Sequence, residues 1–389
     1  MVRILDTTLR EGEQTPGVYF DAHVKAAIAA ELDAIGVDVI EAGHPAVTDS
    51  IRLAVARIAG AGLKARVGAH ARSLESDVAL ALECGVNFIG IFYCVSDERL
   101  ADRGSPLARV VGQIARTVGL AKAHRPDMMV RYTPEDTVRS PLDNVLTAAS
   151  EAVAAGADVI SIADTTGCLI PGSRNTMYDY LRRLRDGLAA RGAFPLIAVH
   201  CHNDRGLALA NALDGYRAGA DIIDASVLGL GERAGIVDLA TLMTVLAHDF
   251  GEGQHWKLRD LPKLYSMVSR FSGVAVPPTF PVMGGHAFSH CAGVHTQAAL
   301  RNPMHYQSLD PAIVGRRSTI VLDHMSGMAA LRHCLAAIGE EGLPEMVARA
   351  VLSKVKAVGR TGRAVDQEEL ALIVNLVRGS ELESGEAVA

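Results

Sequence analysis

The segment PLDNVLTAASEAVAAGADVISIADTTG (residues 141–167) holds one complete unit of the fold. Apolar residues recur at helical spacing through 141–156, and Gly156 stops the helix. A Val/Ile-rich run, Asp158–Ile162, then reads as a strand, and it ends in the polar ADTTG (163–167). The same rhythm extends in both directions. VKAAIAAELDAIG (24–36) repeats the helix with its terminal glycine, and short apolar runs recur at Val2–Leu5, Val37–Glu41, Ala65–Ala69, Phe88–Phe92, Met128–Tyr132, Leu196–His200 and Asp221–Ala225. Eight strands alternating with helices in about 250 residues predict an α/β fold, a (β/α)8 TIM barrel. The rival, a doubly wound open sheet, lacks a GxGxxG after any strand.

The rhythm stops near Phe250. A helix around Leu258–Ser272 leads into VAVPPTFPVMGGHAFSHCAGVH (274–295), too rich in Pro, Gly and His for a regular barrel unit. Two amphipathic helices follow, near Leu343–Val358 and Asp366–Arg378, before a polar stretch, GSELESGEAVA (379–389). The expected domains are a catalytic barrel over 1–250, a smaller and mainly helical C-terminal region over 251–378, and a disordered tail over 379–389.

Composition limits the partners. With 38 Lys+Arg against 44 Asp+Glu the net charge is −6, and aromatics make up 4% of the chain, so there is neither a basic stripe nor a stacking platform for nucleic acid. No apolar run is long enough to span a bilayer, and no signal peptide opens the chain, which predicts a cytoplasmic protein. Six dispersed cysteines without a CxxC pair argue against a disulfide framework.

In a barrel of this kind, chemistry gathers at the C-terminal strand ends. DTTLREGEQ (6–14) follows the first strand, His70 the third, RYTPEDTVRS (131–140) the fifth, HCHND (200–204) the seventh and GLGERAG (229–235) the eighth. His200 and His202, two residues apart, share one face of their strand and turn Cys201 away. They suit either one metal ion or a hydrogen-bonded pair. A catalytic metal needs a carboxylate as well, which Glu11 or Asp6 can supply, and two histidines with one carboxylate leave coordination positions open. Arg10 and Arg131 are rim salt-bridge partners or, taken with Glu11, Glu135 and Asp164, a receptor for an acidic substrate. GLGERAG either brings glycine backbone amides to an anion or forms a tight turn.

DTTLREGEQ, HCHND and GLGERAG, in this order, closely resemble the signatures of the metal-dependent acyl-CoA-condensing barrels, the isopropylmalate, homocitrate and citramalate synthases. The resemblance continues through AFSHCAGVHTQAALRNPMHYQSLDPAIVG (287–315), so it covers roughly residues 3–330. RYTPEDTVRS and GERAGIVDL, with Ile236, look most like homocitrate synthases. Gly90 departs from the aspartate usual in those of the lysine pathway, and IFYCVSDERL (91–100) looks more like the nitrogenase-cofactor type.

The resemblance implies condensation of acetyl-CoA with an anionic 2-oxo acid, foremost 2-oxoglutarate, with phosphonopyruvate and oxaloacetate as alternatives. An acyl-CoA lyase or aldolase on the same barrel is a more remote one. It implies a divalent metal (Zn, Mn or Mg) held by Glu11, His200 and His202. Arg10 would stabilise the developing alkoxide, and His295, assisted by Glu135 and Tyr306, would serve as the base. Arg131 would grip the distal anion, with His70, Thr133 and Thr165 also binding substrate. His295 would reach the partner subunit's site, which implies an obligate homodimer, while His290 and His324 stay outside the catalytic set. The chain ends before the regulatory domain of some relatives, so feedback through such a domain is not expected.

Overall fold

The computed structural model describes residues 1–386, which form two compact units, Met1–Val276 and a second beginning at Pro277. In the first, strands β1 (Arg3–Asp6), β2 (Val39–Glu41), β3 (Arg66–Arg72), β4 (Phe88–Phe92), β5 (Met129–Thr133), β6 (Val159–Asp164), β7 (Leu196–Cys201) and β8 (Ile222–Ala225) close in that order into a parallel barrel. β8 pairs back onto β1, with Leu5 opposite Asp224. The eight expected strands are all present, and the largest boundary shift is at β3, which runs on past Ala69 to Arg72.

Helices α1 (Ala22–Ile35), α2 (Asp49–Ala59), α3 (Glu75–Glu83), α4 (Asp97–Asp102), α5 (Leu107–His124), α6 (Leu142–Ala154), α7 (Met177–Ala190), α8 (Ala208–Arg217) and α9 (Leu239–Phe250) connect or follow the strands. Five of the starts are set by side-chain caps: Asp21, Thr48, Ser96, Thr176 and Asp238 each accept from backbone N–H of the helix they precede.

The barrel interior is a closed apolar layer. Leu5, Val39, Phe88, Val159, Ala198 and Ile222, from six strands, meet with at most 1% exposure. Each large side chain in such a layer contributes about 1.5–3 kcal/mol. The first unit extends beyond the expected limit near residue 250. Helix α10 (Leu261–Ser272) belongs to it because Tyr265 is buried against α9, its hydroxyl donating to Asp238 at 2.5 Å and accepting from Ala240 N at 2.7 Å.

The second unit opens with irregular chain and a minimal parallel pair, β9 (Ser289–His290) with β10 (Thr319–Ile320). Helices α11 (Gly293–Arg301) and α12 (Met328–Ala337) were not foreseen from the sequence, whereas α13 (Glu345–Gly359) and α14 (Gln367–Glu386) match the two expected amphipathic helices. Pairs one helical turn apart, Leu331/Leu335, Val351/Val355 and Leu370/Val374, build its core. α14 continues to Glu386, through much of the stretch read as a disordered tail, and 387–389 lie outside the described residues. Among the described residues all six cysteines are free thiols, and no helix is long and apolar enough to cross a membrane.

Candidate active site

Strand periodicity places the site. Two residues beyond the apolar layer, on the same inward face of each strand, stand Glu41 (after Val39), Gly90 (after Phe88), Arg131 (after Met129), Ser161 (after Val159), His200 (after Ala198) and Asp224 (after Ile222). The layer above the core is therefore polar and lies at the C-terminal mouth. It floors a pocket of about 170 Å³, a size that suits a small acid. The barrel candidates line this one pocket together: Arg10, Glu11, His70, Arg131, Thr133, Glu135, Thr165, His200 and His202.

The loop carrying Arg10 and Glu11 is fixed from behind. Lys25, buried on α1, donates to Leu9 O at 2.8 Å and Ala42 O at 3.3 Å and pairs with Glu13 at 2.7 Å, tying the loops after β1 and β2 together. Asp6, the other candidate metal carboxylate, is fully buried and accepts from Thr8 N and Oγ1, both at 2.9 Å. Burial raises its pKa to about 7, against the pull of those two bonds. Glu11 instead joins the histidines, and the ligand atoms of Glu11, His200 and His202 lie within 4.8 Å of one another. Burial raises the Glu11 pKa, but Arg10 and both imidazoles outweigh it and bring it down to about 2.

GLGERAG forms the tight turn, while the amide it brings to an anion is that of Glu232 and not of a glycine. Gly235, at φ +78°, passes so close to Gly229 that a Cβ would lie 1.8 Å from the Gly229 carbonyl oxygen. The turn aims Glu232 N at Glu11 Oε1, 3.1 Å away, so the anion it serves is the Glu11 carboxylate. Arg233 clamps the neighbouring loops by pairing with Asp204 at 2.7 Å and donating to Thr165 O at 2.6 Å.

The donor set fits a cation. His200 Nδ1 faces Asp224 Oδ2 at 3.0 Å, which directs its Nε2 toward His202 Nε2, 3.3 Å away, while His202 Nδ1 is buried without a partner. Charge supports the same reading. Arg10 and Arg131 face Glu11, Glu41 and Asp224, a formal 2 − 3 = −1 among these buried side chains. A dianionic substrate enters such a site far more readily with a divalent cation (−1 + 2 = +1).

Glu41 and Asp224 are site residues that the sequence reading did not single out. Glu41, fully buried, accepts from Arg10 Nε at 2.6 Å, Thr7 Oγ1 at 2.7 Å and Arg131 Nη2 at 3.0 Å, with His70 Nδ1 at 3.2 Å. Burial alone would raise its pKa, yet Arg10, His70 and Arg131 hold it well below the usual carboxylate range. The available signal was an acid closing an otherwise apolar strand, as in VDVIE (37–41) and DIIDA (221–225).

His70 stacks on Phe92, ring centroids 4.6 Å apart, and burial with Arg10 nearby lowers its pKa to about 4. It is neutral, and its Nδ1–H faces Glu41. Thr133 Oγ1 and Ser161 Oγ are buried without partners, both in the pocket, and are available to a ligand. Glu135 is paired with Arg99 at 3.4 Å. His295 and Tyr306 sit together in the second unit, ring centroids 4.4 Å apart and both exposed. His324, outside the catalytic set, has its backbone packed against Gly359, where a Cβ would lie 2.1 Å from His324 N.

Comparison with known proteins agrees with this architecture. The HMGL-like family model matches residues 1–268, and the homocitrate synthase post-HMGL domain-like model matches residues 282–363. The chain is 40% identical over 355 residues to a homocitrate synthase of Pyrococcus horikoshii, covering 91% of this chain and 94% of that protein. It is 39% identical to a homocitrate synthase of Sulfurisphaera tokodaii, with coverage of 95% and 80%. Two solved structures of lyases share the fold: the HMG-CoA lyase of Brucella melitensis (TM-score 0.57, 22% identity, 70% of this chain and 99% of that one) and the hydroxymethylglutaryl-CoA lyase of Pseudomonas aeruginosa (TM-score 0.57, 23% identity, 70% and 94%). With a mouth built as described and both segments matched in order, the chain belongs to the HMGL-like family and, within it, to the homocitrate synthase group.

Proposed function

We propose that the protein is an acyltransferase that condenses acetyl-CoA with 2-oxoglutarate, releasing homocitrate and free CoA. The observation that carries this reading is the meeting of Arg10 and Arg131 with the Glu11/His200/His202 group in one small pocket. The name shared by the curated relatives supports the choice of acid.

A divalent cation held by Glu11, His200 and His202, with Zn, Mn and Mg all suited to two imidazoles and a carboxylate, would supply Lewis acidity at the ketone. Arg10, held at Nε by Glu41, presents its guanidinium where the C2 oxygen gains charge. Arg131 receives the distal carboxylate, with Thr133, Thr165 and His70 around it. Because Nδ1–H of neutral His70 faces Glu41, its Nε2 accepts rather than donates. A base removes one proton from the acetyl methyl, that carbon bonds to C2 as the C=O π bond breaks, a proton returns to the C2 oxygen to make the hydroxyl, and water cleaves the thioester so that CoA leaves as the thiol. His295, assisted by Tyr306 and Glu135, is the base in this scheme. The exposure of the His295–Tyr306 pair supports its use on a second copy of the chain, and hence a homodimer with shared sites.

Gly90 is the ground for a second acid: a Cβ there would lie 3.2 Å from His70 Nδ1, 3.3 Å from Glu41 Oε1 and 3.4 Å from Arg131 Nη2, tighter than ordinary contact, so His70, Glu41 and Arg131 close over the glycine and build a receptor unlike one that carries a side chain at this position. Release of CoA from acetyl-CoA, followed with a panel of 2-oxo acids and added Mn or Zn, tests both. Release with 2-oxoglutarate supports homocitrate synthesis. Release only with phosphonopyruvate or oxaloacetate moves the acid, and no release with any acceptor overturns the condensation.

A further inference from the structure

Two groups with different tasks meet on one buried carboxylate. Arg131 Nη1 donates to both oxygens of Asp224, at 3.0 and 2.8 Å, and Asp224 Oδ2 also lies 3.0 Å from His200 Nδ1. An ionised carboxylate only accepts hydrogen bonds, so the proton of a neutral His200 sits on Nδ1 and its Nε2 carries a lone pair. That Nε2 is the nitrogen directed toward His202 and Glu11. His202 has no equivalent support, since its Nδ1 is without a partner.

We infer that Asp224 is a positioning residue for both halves of the site: it fixes His200 as the Nδ1–H tautomer, with Nε2 ready for a cation, and it holds Arg131 in place for the anionic acid. Cation affinity and 2-oxo-acid affinity then depend on one side chain. The inference rests on the cation-site reading above. Glu41 provides the contrast, because it holds Arg131, Arg10 and His70 but touches neither metal-site histidine.

Asparagine at this position would not separate the two tasks, because its oxygen at the Oδ2 position would still accept from both His200 Nδ1 and Arg131 Nη1. Alanine removes the acceptor from both neighbours at once.

The test uses metal-free full-length protein titrated with Mn(II) alone, in competition with a chelator and without substrate. Asp224→Ala should bind Mn(II) about 10–100-fold more weakly than wild type, and its KM for the 2-oxo acid should rise. Glu41→Gln should raise that KM with a much smaller change in Mn(II) affinity. A folded Asp224→Ala protein with wild-type Mn(II) affinity overturns the inference and leaves the cation site standing, whereas a wild type that binds no divalent cation overturns both. A second measurement does not require the variant to fold. In ¹⁵N-histidine-labelled, metal-free wild type, the resonance identified by its loss in His200→Gln should report a proton on Nδ1, and a proton on Nε2 overturns the assignment.

Discussion

Arg131 and Glu41 form an ion pair of 3.0 Å between side chains that are 2% and 0% exposed, across the floor of the barrel mouth. Arg131 also lies over the Phe88 ring, 5.6 Å from its centroid, so the charged layer rests directly on the apolar one. A buried pair of this kind adds little net stability, but losing one partner strands the other. Glu41→Gln should therefore cost about 3–5 kcal/mol of stability, since two arginines lose their shared carboxylate. Denaturant unfolding at pH 7 measures this, and a loss below 1 kcal/mol would show that water or Asp224 compensates.

Removing a ligand of the cation site acts differently. Glu11→Ala and His202→Ala should retain the fold, because the barrel layer below is untouched, but should lose bound metal and turnover together. Elemental analysis of the purified variants alongside CoA release checks both, and an undiminished kcat in either variant would place the chemistry elsewhere.

His70 makes stability depend on pH. Its pKa in the folded protein is lowered to about 4 from 6.5, so between those values the unfolded chain binds a proton that the native state refuses. The His70 contribution is complete above pH 6.5 and falls toward pH 4, with a slope of up to about 1.4 kcal/mol per pH unit; His202, also lowered to about 4, adds a slope of the same sign, and Asp6, raised to about 7, opposes them. Glu41, whose pKa is lowered, adds its own loss only below about 4.5. His70→Gln should subtract this one slope between pH 4 and 6.5 relative to wild type, leaving the contributions of His202 and Asp6 and the acid limb in place. Urea titrations across that range would show it, and an unchanged slope would mean that His70 already titrates normally.

The barrel was legible because each βα unit writes its own signature: Val/Ile runs, helical spacing, and a glycine at most helix ends. The candidate cation site was legible in part: HxH at a strand end marked His200 and His202, but the residues alone left Glu11 and Asp6 open as the carboxylate, and the resemblance rather than the spacing favoured Glu11. Glu41 and Asp224 were hidden by the same alternation that places them, since an acid inside a strand shows its role only once register sets it above Val39 or Ile222. The second unit was least legible. Nothing local in the residues around β9 and β10 shows that Thr319 pairs with Ser289, and α11 begins at a glycine without a side-chain cap.

The proposed sharing of sites gives the sharpest prediction. His295→Ala should lower kcat far more than it weakens 2-oxo-acid binding, because the imidazole is assigned to the acetyl proton and not to the acid; the reverse pattern would move the base to another residue. Glu11→Ala should be inactive through loss of the cation. If His295 serves the partner's barrel, co-expressing the two variants yields mixed dimers in which one site carries both defects and the other is intact. Random pairing makes half the dimers mixed, so activity should return to about a quarter of wild type by the symmetry of a two-fold dimer. If each chain used its own His295, every site in the mixture would carry one lesion and no activity would return.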